Sequence, residues 1–99
     1  MLFGRQAARV LVYEHPVDMR KSFDGLYAVA SQGSKDDVLS GTLFLFVNRS
    51  KTILKVLFWD RTGWCVVAKR LERGRFEVSK SFLSYRELEL LFDGICRRN

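Results

Sequence analysis

"GTLFLFVNRSKTILKVLFWDRTGWCVVAKRLERGRF", Gly41 to Phe76, is the stretch that decides the fold. "TLFLFV" (42–47), "TILKVLFWD" (52–60) and "WCVVAKRL" (64–71) are rich in β-branched and aromatic residues, and each is bounded by turn-forming residues. "NRSK" joins the first two. "RTG" (61–63) closes a short hairpin, with Gly63 free to take positive φ. "ERG" (72–74) is a second three-residue loop with glycine last, and "RFEV" (75–78) then starts a fourth strand. Two such loops in succession predict an antiparallel meander. "LFLFV" and "ILKVLFW" are apolar on both alternating faces, so these strands are expected to be covered on both sides, by helices or by a partner.

Outward from this core, "RVLVYE" (9–14) reads as a strand ended by His15-Pro16, because proline removes a donor and its predecessor disfavours helix. Asp18 is a candidate N-cap for a helix whose apolar face is Met19, Phe23, Leu26, Tyr27 and Ala30, with Gly25 as its weak point. "GSKDD" (33–37) and Ser40-Gly41 are loop signals. After the meander, Ser84 and Glu87 form a capping box for a helix with Leu88, Leu91 and Phe92 on one stripe and Gly94 as its stop. The expected fold is α+β, strand-helix-meander-helix: an antiparallel meander of four to five strands with two helices on one face. Ninety-nine residues make a single domain, 1–99, with 1–8 as a candidate disordered N-terminal extension. No run of about 18 apolar residues offers a membrane span, and the expected location is cytoplasmic.

The charge is uneven. Between Arg49 and Arg75 lie eight basic residues (Arg49, Lys51, Lys55, Arg61, Lys69, Arg70, Arg73, Arg75) against Asp60 and Glu72. The formal net charge of the whole chain is +6, so this segment holds all of the excess. Such asymmetry points to an anionic partner, nucleic acid first. Arginine outnumbers lysine eleven to six, which suits bidentate phosphate contacts. Trp59 and Trp64 flank the Arg61 turn. They read either as core or as stacking and partner-binding rings.

Catalytic signatures do not emerge. The chain has no P-loop, dinucleotide fingerprint or nucleophile elbow. His15 reads as a strand-end residue. Asp18, Asp24, Asp60, Glu72 and Asp93 are explained by caps, turns and solvated charge rather than as a metal-binding set. Cys65 and Cys96 read as reduced thiols. No metal and no cofactor are expected.

"DMRKSFDGL" (18–26), the block 41–76 and "LELLFDGI" (88–95) together resemble the TnpB family of bacterial insertion sequence 66, the short product of that element's second open reading frame. This family is distinct from the RNA-guided nucleases of the same name. The resemblance covers about Arg9 to Ile95. The chain departs from the family pattern at Ser22, usually glycine, and at Glu77-Val78, usually Trp-Pro. The resemblance implies a non-catalytic accessory role in transposition beside a separate transposase. Asp18, Met19, Arg20, Lys21, Lys55, Trp59, Asp60, Lys69, Arg70, Glu72, Gly74 and Arg75 stand at motif positions. Charge and motif together nominate Arg20, Lys21, Arg49, Lys51, Lys55, Arg61, Lys69, Arg70, Arg73 and Arg75 for nucleic acid, and Trp59 and Trp64 for a partner. DNA binding through a basic meander, nucleoid-associated, is the first expectation. Docking on the transposase or another element-encoded protein without DNA contact is the alternative.

Overall fold

The computed structural model describes residues 9–33 and 41–93. The "NRSK" and "RTG" turns deliver the expected meander: β2 (Leu43–Val47), β3 (Ile53–Trp59) and β4 (Trp64–Arg70) pair antiparallel in sequence order. β1 (Val10–Val12) corrects the expectation of a wholly antiparallel sheet. It lies beside β2 and parallel to it, and α1 (Phe23–Gly33) lies in the crossover between them. A parallel pair requires such a crossover, because a tight turn can only reverse the chain. β5 (Phe82–Leu83) pairs antiparallel with β1, so the sheet is mixed and its order is β4-β3-β2-β1-β5.

The double-sided apolar pattern of the central strands is met by helices on opposite faces, not on one. Leu26 and Ala30 of α1 pack with Phe44, Phe46 and Leu57. On the other face α2 (Tyr85–Phe92) packs Tyr85, Leu88, Leu91 and Phe92 against Leu43, Leu45, Leu54 and Val56. Strand parity explains the split, because successive residues of one strand point to opposite faces. The capping box forms as expected: Glu87 N donates to Ser84 Oγ at 3.0 Å and Ser84 N donates to Glu87 Oε1 at 2.8 Å. Lys80 Nζ also donates to Glu87 at 2.6 Å, and that bond together with the Ser84 amide holds the Glu87 carboxyl below its ordinary range.

Four local expectations change. α1 begins at Phe23 rather than after Asp18, with Leu26 N bonded to Ser22 O at 2.8 Å. Its Phe23 and Tyr27 are about half exposed, so only part of the expected stripe is buried. Positive φ in the "RTG" turn falls on Arg61 (58°), not on Gly63. "RFEV" forms no strand. Phe76 is buried as an anchor, and its amide donates to Lys51 O at 2.8 Å. An apolar residue that plugs a core from a loop looks the same in sequence as one that alternates along a strand. Residues 1–8, most of "GSKDD", Gly94 and Cys96 lie outside the described residues.

Candidate anion-binding surface

The strand directions bring three loops to one end of the sheet. These are the turn after β1, the β2–β3 turn and the segment after β4. Asn48 builds the second. Its Oδ1 accepts from Thr52 N and Ile53 N, both at 2.9 Å, and its Nδ2 donates to Ser50 Oγ at 3.1 Å. Lys51 takes φ 61° in that turn, and Arg49 and Lys51 project to solvent. The third loop is fastened alongside by Leu71 N to Thr52 O and Phe76 N to Lys51 O, both 2.8 Å. Gly74 takes φ 74°, and Arg73 and Arg75 flank it, exposed. Arg70 pairs with Ile53 across the strands and stands at the same end. Its guanidinium meets Glu72 at 3.4 Å, an exposed and therefore weak pair. No described carboxylate lies within ion-pair distance of Arg49, Lys51, Arg73 or Arg75.

The first loop carries Arg20 and Lys21. Asp18 forms a tight turn in which it accepts from Arg20 N at 2.9 Å and from Nε and Nη2 of the same arginine at 3.0 and 2.7 Å. This fork holds the Asp18 carboxyl down at about 2 and raises Arg20. The pairing is complete above the ordinary carboxylate value of 3.8 and is lost as pH falls toward about 2. The side-chain carbon resonance of Asp18 is therefore expected to titrate near 2 in an NMR pH series, and Arg20→Gln should return it toward 3.8. Gly25 lets the Lys21 stem lie against α1, because a Cβ there would sit 3.0 Å from Lys21 Cβ.

Three of the nominated basic residues do not join this end. Lys55 stands on the α1 face, and its Nζ donates to Met19 O at 2.7 Å and Lys21 O at 2.8 Å. It fastens the 18–21 turn to the sheet. Lys69, on the opposite face, donates to Phe92 O in the last turn of α2 at 2.5 Å, where a cation also suits the helix dipole. Arg61 sits in the β3–β4 hairpin at the far end, ~20 Å away along a seven-residue strand. Sequence reasoning missed three contributors. Asn48 organises the basic turn, and its signal was an Asn with hydroxyl residues two and four positions on. Lys80 and His15 rim a concavity at the same end whose wall includes Arg49, Lys51 and Phe76.

Trp59 and Trp64 face each other across β3 and β4 on the α1 side, edge to face with centroids 5.2 Å apart. Tyr27 of α1 meets Trp64 at 5.4 Å in the same manner. The rings are neither fully buried nor free, and together they form an aromatic patch at the hairpin end. No helix among the described residues is long and apolar enough to cross a membrane.

No solved structure matches the chain. Two proteins of Sinorhizobium fredii (strain NBRC 101917 / NGR234) are similar to it. "Uncharacterized protein y4hO" is 37% identical over 100 residues, covering 96% of this chain and 87% of the relative. "Uncharacterized protein y4jC" is 30% identical over 76 residues, covering 77% of this chain and 65% of that relative. The family model described as IS66 Orf2 like protein matches residues 8–99. With nearly all of its residues matched, the chain belongs to the IS66 Orf2-like family, the accessory proteins of insertion sequence 66 transposition.

Proposed function

We propose that this accessory protein is non-catalytic and binds DNA through the basic end of its sheet, beside the transposase. One observation carries the reading. Arg49, Lys51, Arg73 and Arg75 come from two loops bonded to each other, and no described acid neutralises them. Guanidinium and ammonium groups held together and left facing water suit a row of phosphates. The acids considered for metal chemistry do not converge: Asp18 is engaged by Arg20 at this end, and Asp60 lies in the hairpin at the other.

The test is fluorescence anisotropy with labelled element-end and scrambled DNA across a salt series. Log affinity should fall linearly with log salt, and Arg73→Ala and Arg75→Ala should each flatten the slope by about 1. Lack of binding at low salt sinks the DNA reading. The alternative, docking on the transposase or another element-encoded protein, is favoured by the aromatic patch of Tyr27, Trp59 and Trp64, since such rings dominate interface energetics.

A further inference from the structure

β4 is the long edge of the sheet. It is seven residues long and pairs only with β3 among the described residues. The opposite edge, β5, has only two residues. The hairpin bond from Asp60 N to Gly63 O and the bond from Leu71 N to Thr52 O fix the alternation along the ladder. Cys65, Val67 and Lys69 therefore turn their backbone groups toward β3, and Trp64, Val66, Ala68 and Arg70 turn theirs outward. Natural edges are blunted with proline, bulges, short length or charge. Here charge occurs only at the last two positions, and Lys69 is bound to α2.

We propose that β4 pairs antiparallel with β4 of a second copy, about a two-fold axis at Val67. Three features select this occupant and this register. The four outward residues are symmetric about Val67, so Trp64 meets the second copy's Arg70 and Val66 meets its Ala68. All four then exchange backbone bonds, and a shift by two residues leaves one of them out. The cross-strand pair sets a guanidinium beside an indole on one face of the joined sheet, a favourable cation–π arrangement. Arg70 is free for it, since its contact with Glu72 is exposed. Parallel pairing would instead set Arg70 against Arg70. The joined sheets carry their basic ends at opposite extremes, so one dimer presents two anion-facing surfaces.

Light scattering after size exclusion should give the wild-type protein twice its 11.5 kDa chain mass. Ala68→Pro removes an outward N–H without touching the β3 ladder, and it should return the mass to 11.5 kDa with an unchanged circular dichroism spectrum. Facing Val67 residues form a non-hydrogen-bonded pair with Cα atoms about 4.5 Å apart, inside disulfide range. Val67→Cys, in a background with Cys65→Ser and Cys96→Ser, should therefore crosslink to a double-mass band under mild oxidation. Val66→Cys in that background should not. A wild type that stays at 11.5 kDa up to millimolar concentration overturns the proposal. So does a folded Ala68→Pro variant that remains dimeric, or a dimer in which Val67→Cys fails to crosslink. If Ala68→Pro does not fold, the crosslink alone decides.

Discussion

Phe76→Ala is expected to lower the unfolding free energy by about 3–5 kcal/mol, the usual range for a buried phenylalanine reduced to a methyl group. Phe76 is 1% exposed and packs into the α2-face cluster with Leu45, Leu54 and Leu88. A domain of this size holds about 5–15 kcal/mol in all, so one side chain outside any regular element would carry a large share. The melting temperature should fall by at least ~12 °C. Chemical denaturation measures the first quantity and calorimetry the second. Phe82→Ala is the control, because Phe82 is 57% exposed and its loss should cost no more than about 0.5 kcal/mol. The effect should also be local. Leu71 N and Phe76 N are the bonds that tie the arginine loop to the β2–β3 turn, and their amide exchange should accelerate more than that of β2. Equal losses in the two phenylalanine variants would mean that the loop is not anchored by this ring.

The same residue shows where sequence reasoning reached its limit. The meander was legible because its signal is local: β-rich runs bounded by turn residues, with apolar side chains on both parities. The capping box was legible for the same reason, since Ser84 and Glu87 are three residues apart and satisfy each other. The place of β1 was not legible. A strand's alternation says which face is buried but not which strand lies alongside, and only the crossover through α1 sets β1 parallel to β2. Phe76 read as strand because it and Val78 alternate with Arg75 and Glu77, a pattern that a loop anchor shares.

The candidate site was legible in composition and only partly in position. Of the basic residues between Arg49 and Arg75, Arg49, Lys51, Arg70, Arg73 and Arg75 gather at one sheet end, because β3 and β4 run in opposite directions and return Arg70 beside Ile53. Lys55 and Lys69 stand apart from this end for a shared reason. Each ammonium is satisfied by backbone carbonyls, at Met19 and Lys21 or at Phe92. Every residue type has a carbonyl, so no letter of the sequence announces such a partner. Asp18 paired with Arg20 was closer to hand, two residues away, yet the helix-cap reading of Asp18 competed with it.

Lys55→Met separates the two roles a motif lysine can play. The methionine keeps most of the aliphatic stem on the α1 face but removes the donors to Met19 O and Lys21 O. Bonds from a charged donor contribute about 1.5–3 kcal/mol each, and the orphaned carbonyls can recover part of that from water. A net loss of about 2–3 kcal/mol in denaturant unfolding is therefore expected. The chemical shifts of residues 18–21 should move with it, because the turn that holds Asp18 and Arg20 loses its attachment to β3. DNA affinity measured well below the melting temperature should keep its salt slope, since Lys55 is turned to carbonyls and not to phosphate. A slope flattened by about 1 with stability unchanged would reverse this assignment. It would place Lys55 on the anion surface and the turn's attachment elsewhere. Measured beside Arg73→Ala, the variant therefore distinguishes a lysine that shapes the basic end from an arginine that uses it.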